Sequence, residues 1–207
     1  MKAPDPRLRI DGEFARLEEI PRAFLRGDTA RAARGLIGAW IARRHEGHWY
    51  GARIVETEAY LGRDDPAAHS CGGRRTPRVE PMYRDGGHLY VYLVYGMHHC
   101  ANVVTRTEGL AEAVLLRAAE GPAGTPEKLL SGPGRLCRAL GITTAASGLA
   151  LLTGGEVRLA RGPDRPRAIR ATPRIGVAYA GEAARWPLRF FDARSLAVSG
   201  PARLNRA

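Results

Sequence analysis

Residues 52–61 read ARIVETEAYL, and the turn-forming sequence GRDDP follows at 62–66. Alternation with β-branched residues is typical of a strand, and Gly and Asp-Pro favour a turn. Successive side chains of a strand point to opposite faces. The even-numbered residues are therefore predicted to share one face: Ile54, Glu56, Glu58 and Tyr60. The odd-numbered residues are predicted to share the other: Val55, Thr57, Ala59 and Leu61.

Patterns on either side of this strand predict more of the same sheet. HLYVYLVYGMHHCANVVT at 88–105 is typical of a β-hairpin that turns near Gly96 and Met97, and AEAVLLRAAEG at 111–121 predicts a further strand. ARAARGLIGAWIARR at 30–44 predicts a helix that leads into a strand. Mixed strands and few helices favour an α+β fold with a mainly antiparallel sheet and flanking helices.

The totals favour one domain. The chain has 207 residues, of which 44% are hydrophobic, enough to bury a core without disulfides. We predict an irregular N-terminal lead-in at 1–19, a single domain at 20–195 and a C-terminal tail at 196–207. No apolar run approaches the roughly 20 residues of a membrane helix. The absence of an apolar leader and the three sparse cysteines predict a reducing, cytoplasmic location.

The charge points to a polyanionic partner. The formal net charge is +11, and the only lysines are Lys2 and Lys128, so nearly all positive charge is arginine. Such a balance is typical of nucleic-acid binding, and arginine suits bidentate phosphate contacts. A basic protein without such a partner remains an alternative, because net charge alone does not set function.

Several side chains have both a structural and a functional interpretation. Glu58 on an apolar strand is either paired with an arginine or acts as a general base on water. His69 is either a solvated loop residue or a site residue, and Tyr60 and Tyr92 are either core aromatics or pocket walls. Tyr95 at a hairpin tip is harder to explain as core and suits insertion between bases.

No metal or cofactor is predicted. The histidines and cysteines around the hairpin lack the CxxC or HxxxH spacing of common metal sites: His69, Cys71, His88, His98, His99 and Cys100. The sequence also has no GxGxxG fingerprint, P-loop or GxSxG elbow.

Taken together, these motifs resemble the alkyladenine (3-methyladenine, methylpurine) DNA glycosylase family. The resemblance covers roughly residues 20–192, and its most specific part is ETEAYLG and AAHS followed by LYVYLVYGM. It implies a curved sheet with a protruding hairpin that intercalates into DNA. It also implies an enzyme that flips a damaged purine out of duplex DNA and hydrolyses its N-glycosidic bond.

The family's functional residues map onto this sequence in four groups. Three positions match the catalytic set, namely the glutamate that activates water, an arginine and a main-chain carbonyl: Glu58, Arg117 and Ile175. Five match the base-binding pocket: Tyr60, Ala67, His69, Tyr92 and Asn102. At the intercalating tip, Tyr95 matches the family's tyrosine with Met97 beside it, and His98 stands where the family often has an aromatic. Three positions match the DNA-facing loop, namely Thr76, Arg78 and Met82, and we expect Arg74, Arg75 and Arg78 to contact phosphates.

The implied substrates are alkylated purines (3-methyladenine and 7-methylguanine), together with hypoxanthine and ethenoadenine. Neither Lys2 nor Lys128 lies in this constellation, so we expect a monofunctional enzyme that forms no Schiff base and leaves an abasic site. The resemblance implies a monomer that acts on double-stranded DNA without a cofactor, in the nucleoid if bacterial. Two alternatives stay open: a metal-dependent nuclease, and a non-catalytic protein that binds lesions or duplex DNA.

Overall fold

The computed structural model describes residues 1–152, 154–162, 166, 168–201 and 205. Nine strands are present among these residues: β1 Glu18–Glu19, β2 Ala39–His45, β3 His48–Tyr60, β4 Leu89–Val94, β5 His98–Thr105, β6 Glu112–Glu120, β7 Val157–Arg161, β8 Ile169–Thr172 and β9 Arg189–Asp192. The α-helices are short: α1 Asp11–Phe14, α2 Arg22–Leu25, α3 Thr29–Gly35 and α4 Pro133–Leu140. The remaining helical turns are of the 3-10 type: Pro6–Leu8, Gly62–Asp64, Cys71–Gly73, Glu80–Tyr83, Thr144–Ala146 and Ala178–Arg185.

The strands form one curled sheet with the order β1-β7-β2-β3-β6-β5-β4, and β9 pairs with both β3 and β8. Every strand pair in this sheet is antiparallel. Helix α3 packs on β3 and β6, and α4 packs on β5 and β6. The predicted α+β domain with a mainly antiparallel sheet and flanking helices is therefore confirmed.

Local turn chemistry forms the two hairpins. β2 and β3 are joined through Glu46 and Gly47, both with positive φ, as a tight hairpin turn requires. β4 and β5 pair from Leu89 with Val103 to Val94 with His98, and the chain reverses through Tyr95 and Gly96, whose φ angles are 52° and 69°. The predicted hairpin and its position are both present.

Strand β3 differs from the predicted alternation at one point. Ile54 pairs with Ala119, Glu56 with Ala118 and Thr57 with Leu116, so β3 has an extra residue at Val55 and β6 has one at Arg117. Such bulges shift the faces of a strand by one residue. Ile54 accordingly packs in the main core, whereas Val55 packs with Ala118 on the opposite face. The predicted faces of Ile54 and Val55 were wrong for this reason.

Beyond the bulge, the predicted alternation is correct. Thr57 donates a hydrogen bond to the carbonyl of Ala33 in α3, and Ala59 lies in the main core. Glu56, Glu58 and Tyr60 therefore share the opposite face. The sheet thus separates an apolar core on one side from a row of polar side chains on the other.

The N-terminal residues are more ordered than predicted. Leu8, Ile10 and Phe14 are buried, and β1 pairs with β7. The division into 1–19, 20–195 and 196–207 stays a prediction. Over the described ranges, no helix combines the length and apolar character needed to cross a bilayer.

Candidate active site

A cavity of about 1100 Å³ opens between the β4–β5 hairpin, the loop after β3 and the segment after β8. All five predicted pocket residues line it: Tyr60, Ala67, His69, Tyr92 and Asn102. The three predicted tip residues, Tyr95, Met97 and His98, lie along the same cavity, as do Arg117 and Ile175. The fold therefore brings together residues that are more than 100 positions apart in the sequence.

Glu58 lies behind this lining and is fully buried. Its Oε1 accepts the main-chain N–H of Ile175 at 2.7 Å, and its Oε2 accepts the Tyr60 hydroxyl at 2.9 Å and Arg117 Nη1 at 3.3 Å. A carboxylate has about four acceptor positions. Donors among the described residues fill three of them, so one position on Oε1 is left for a further proton donor such as water.

Ile175 is predicted to contribute a main-chain carbonyl that helps to hold the attacking water. The structure places Ile175 beside Glu58, where its N–H donates to the carboxylate, and the role of its carbonyl stays a prediction. This N–H fixes the carboxylate plane of Glu58 relative to the cavity.

The second glutamate, Glu56, has a structural environment. It is fully buried and accepts Arg117 Nε at 3.0 Å, Arg189 Nε at 2.6 Å and the N–H of Ser199 at 2.7 Å. Arg117 therefore bridges the two carboxylates, which offsets their mutual repulsion. Burial lowers the pKa of Arg117, but the attraction of Glu58 and Glu56 outweighs burial, and the pKa is raised.

Aromatic rings form one wall of the cavity. The His69 ring meets Tyr92 edge-on with centroids 4.5 Å apart, and its Nδ1 lies 2.8 Å from the Tyr90 hydroxyl. Burial, followed by the charges of Arg78 and Arg74, lowers the pKa of His69 to about 4. His69 is thus neutral at pH 7, and it packs against Tyr92 in a compact wall.

The phenols of this wall are also neutral. Burial raises the pKa of Tyr90 to about 12 and raises that of Tyr92 further. Burial and the neighbouring Glu58 raise the pKa of Tyr60 well above its ordinary value. Tyr60 therefore keeps its proton and acts as a hydrogen-bond donor to Glu58.

Two smaller residues complete the pocket through fixed contacts. Asn102 is buried and its Nδ2 donates to the carbonyls of Tyr90 and Cys100, which leaves Oδ1 as its other polar group. The N–H of Ala67 donates to Asp65, and its carbonyl accepts the hydroxyl of Tyr179 at 3.3 Å. That carbonyl retains a second lone pair for another donor.

The hairpin tip is the most exposed apolar part of the cavity rim. Tyr95 is 88% exposed and Met97 is 69% exposed, and His98 is exposed beside them. Isolated exposed apolar residues are ordinary, but an aromatic and a methionine together at a tip indicate a contact surface. The return strand is anchored at His99, whose Nδ1 accepts the N–H of Thr144.

The loop at 74–82 places most of its predicted DNA-facing residues at the surface. Arg74, Arg75, Thr76 and Arg78 are exposed. Arg78 also lines the cavity, and its guanidinium lies 5.4 Å from the Tyr92 ring centroid. Met82 differs from these residues.

The Met82 side chain is only 2% exposed. It packs in a cluster with Val79 and Tyr90 and supports the loop from inside. Met82 is therefore not exposed with the loop arginines, but it lines the same cavity as Arg78.

Lys2 requires a correction. It was predicted to lie outside the constellation, but it lines the same cavity, at the end near His99, whose pKa its charge lowers after burial. The N-terminal segment reaches this place because Lys2 bonds through its main chain to Gly141 and Arg43. The lysine argument for a monofunctional enzyme therefore does not hold for Lys2 on position alone.

Sequence reasoning also missed residues that organise the site. Asp65 and Arg174 form a fully buried ion pair near Tyr60, and Tyr179 lines the cavity while 72% exposed. With about thirty arginines in the chain, no local pattern distinguishes Arg174. Within the described part of the chain, no group of three or more His, Cys, Asp or Glu side chains is arranged to hold a metal ion.

Comparisons with known proteins show which family the chain belongs to. The family model described as methylpurine-DNA glycosylase (MPG) matches residues 23–196. A protein of Bdellovibrio bacteriovorus is 45% identical over 87% of this chain and 98% of its own length. A protein of Desulfitobacterium hafniense is 42% identical over 88% of this chain and 99% of its own length. Both are named "Putative 3-methyladenine DNA glycosylase". The chain therefore belongs to the methylpurine-DNA glycosylase family, whose members are hydrolases of N-glycosyl bonds in DNA.

Proposed function

We propose that this protein flips alkylated purines out of duplex DNA and hydrolyses their N-glycosidic bonds, leaving an abasic site with intact phosphodiesters. The proposed substrates include 3-methyladenine and 7-methylguanine, and also the deaminated and etheno purines hypoxanthine and ethenoadenine. The protein acts as a monomer. The observation that carries the proposal is the buried Glu58 carboxylate, held by Ile175, Tyr60 and Arg117 at one cavity.

In this proposal, Glu58 accepts a proton from the attacking water. Glycosidic cleavage develops positive charge on the sugar, and a carboxylate nearby stabilises that charge. The free acceptor position on Oε1 receives the water, while Arg117 and the Ile175 N–H hold the carboxylate in place. Loss of a general base typically costs about 10²- to 10⁴-fold in rate.

The aromatic residues bind the flipped base. Tyr60 packs on one side of the base, and the neutral His69 and Tyr92 pack on the other. All three line one cavity, and since the rings of His69 and Tyr92 are nearly perpendicular, only one of those two lies parallel to the base. The main-chain groups of Ala67 and His69 contact the base edge, and Asn102 disfavours the exocyclic amine of guanine. Tyr95 fills the space in the DNA stack from the hairpin tip, with Met97 and His98 beside it. Arg74, Arg75, Thr76 and Arg78 contact the DNA backbone.

The test uses duplexes with a single hypoxanthine or ethenoadenine, and DNA treated with a methylating agent. Each is incubated in EDTA with the wild type, Glu58→Gln and, as matched control, Glu127→Gln at an exposed surface position. We expect free base to be released, strand breaks only after alkali, and loss of both in Glu58→Gln alone.

Two results would count against the proposal. Breaks without alkali would contradict a monofunctional enzyme, and sodium borohydride trapping with Lys2→Ala would identify the amine. Tight binding of every lesion without base release would contradict catalysis by this site.

A further inference from the structure

The ion pair of Asp65 and Arg174 lies next to the cavity without lining it. Arg174 Nη1 is 2.5 Å from Asp65 Oδ2, and Nη2 is 2.9 Å from Oδ1. Both side chains are fully buried. Two parallel hydrogen bonds between guanidinium and carboxylate form the strongest and most directional kind of ion pair.

This pair connects the segments that carry the site. Asp65 also accepts the N–H groups of Leu61 and Ala67, and Arg174 also donates to the carbonyls of Ala59 and Ala183. Leu61 and Ala59 flank Tyr60 in the chain, and Arg174 directly precedes Ile175. The pair therefore fixes where Tyr60, Ala67 and Ile175 stand relative to one another.

The same pair controls the charge behind Tyr60. The Arg174 guanidinium lies 4.8 Å from the centroid of the Tyr60 ring. Because Arg174 is buried and does not line the cavity that Tyr60 lines, it covers the side of the ring that faces the interior. A base stacked on the cavity side would thus be separated from this cation only by the ring.

We propose that the Asp65 carboxylate neutralises Arg174 so that a positively charged alkylated purine can stack on Tyr60, which makes Asp65 a determinant of substrate charge preference. This inference rests on the proposed function, in which Tyr60 stacks with the flipped base. Asp65 is a positioning residue, since it acts through Arg174 and Tyr60 and does not touch the base.

Two other groups near Tyr60 add no net charge, since Arg117 is compensated by Glu58 and Glu56 and His69 is neutral. The remaining cations that line the cavity are the same in every protein compared, because substitutions at positions 65 and 174 leave them unchanged: Lys2, Arg78, Arg135 and Arg138. Burial favours protonated Asp65, but Arg174 and the two N–H donors outweigh it and hold the pKa of Asp65 below its usual value. The pair is consequently a neutral unit at pH 7.

The test exploits the charges of two substrates. 3-Methyladenine in DNA carries a positive charge at pH 8, whereas hypoxanthine is neutral. Asp65→Asn keeps the shape of the side chain but leaves Arg174 uncompensated. At an effective dielectric constant of about 20, a unit charge within about 10 Å changes binding of another by roughly tenfold. We expect the ratio of 3-methyladenine to hypoxanthine excision to fall by roughly this factor.

Two further variants test the inference: one should change the excision ratio in the opposite direction, and the other is a control. Arg174→Gln at pH 8 leaves the carboxylate alone, and the ratio should rise. The double variant Asp65→Asn with Arg174→Gln has no net charge at this place, so its ratio should return to that of the wild type even if both rates are low. Thermal unfolding and affinity for a duplex with an abasic-site analogue establish that each variant is folded.

Failure of this inference is distinct from failure of the proposed function. If folded Asp65→Asn and Arg174→Gln lower both excision rates by the same factor, the pair is structural only and the inference is wrong. If the wild type releases neither base, the proposed function itself is wrong. If the Asp65→Asn protein does not fold, Arg174→Gln alone tests the inference, and the inference is wrong unless its ratio of charged to neutral base excision rises.

Discussion

The hydroxyl of Tyr60 donates a 2.9 Å hydrogen bond to the carboxylate of Glu58, two residues before it on the same strand. The two side chains share a face of β3, so one short segment supplies both an aromatic wall and the buried carboxylate behind it. The ring and the hydroxyl of Tyr60 therefore have different contacts, and their contributions can be measured separately by mutation.

Tyr60→Phe removes only the hydroxyl, and Tyr60→Ala also removes the ring. Stacking of a base on an aromatic side chain is worth about 1–3 kcal/mol. We therefore expect Tyr60→Ala to weaken binding of a lesion duplex by roughly tenfold to a hundredfold, and Tyr60→Phe to retain it. Fluorescence titration with an ethenoadenine duplex measures both, and equal losses in the two variants would contradict stacking on this ring.

His69 makes folding stability depend on pH. Its pKa is about 4 in the folded protein and about 6.5 when unfolded, so the unfolded chain binds the proton more readily between these values. Stability contributed by neutral His69 is complete above about pH 6.5 and declines as the pH falls towards 4. His69→Phe cannot titrate.

The urea midpoints of wild type and His69→Phe at pH 7.5 and pH 5 measure this effect. We expect the wild type to lose more stability between these pH values than the variant does. Identical losses would mean that His69 is not buried as a neutral base.

Tyr95 places an exposed aromatic ring at the hairpin tip in a backbone conformation that lowers folding stability. Its φ of 52° is in the left-handed region, which costs a non-glycine residue of order 1 kcal/mol and which Asn tolerates better. Tyr95→Asn should therefore raise the unfolding free energy by up to about 1 kcal/mol while lowering excision from duplex DNA. Tyr95→Phe, the matched control, should change neither the unfolding free energy nor the excision rate. Full activity of Tyr95→Asn would contradict the proposed insertion of Tyr95 into the DNA stack.

The loop arginines should contribute unequally to salt dependence. Arg75 bonds Glu80 at 2.8 and 2.6 Å and lies over the Tyr83 ring, whereas Arg74 presents an exposed side chain. A phosphate contact contributes about 0.9 to the slope of log K against log salt. Arg74→Gln should reduce the slope by about this amount, and Arg75→Gln by less.

Binding isotherms at several salt concentrations measure these slopes. Arg31→Gln, on the exposed side of α3, serves as the control and should leave the slope unchanged. A larger change for Arg75→Gln than for Arg74→Gln would show that the Glu80 pair opens on DNA.

Local chemistry allowed much of the fold to be predicted. The strand at 52–61, the hairpin at 88–105 and the turn at Gly96 follow from alternation, β-branching and glycine, which act over a few residues. The placement of Glu56, Glu58 and Tyr60 on one face was also correct. The faces of Ile54 and Val55 were not, because a bulge depends on how β3 pairs with β6 rather than on the residues of β3 alone.

The site itself depended on long-range contacts. Glu58 and Ile175 are 117 positions apart, and Asp65 and Arg174 are 109 apart. The first pair was anticipated only through the family resemblance, which assigned a role to the carbonyl of Ile175 and none to its N–H. The second was not anticipated, because spacing cannot tell which arginine reaches a buried carboxylate.

The extra residues at Val55 in β3 and Arg117 in β6 lie at the same level of the sheet, which restricts how this segment can change in length. Deletion of one residue between Ile54 and Thr57 would restore regular alternation in β3 and keep its two faces, but the extra residue at Arg117 in β6 would then have no counterpart. The pairing of β3 with β6 would slip by one residue on one side of the deletion, and a one-residue slip turns side chains to the wrong face of the sheet. Single-residue insertions and deletions here should be far less tolerated than most substitutions. A deletion scan of β3 would show whether the number of residues in this segment is constrained.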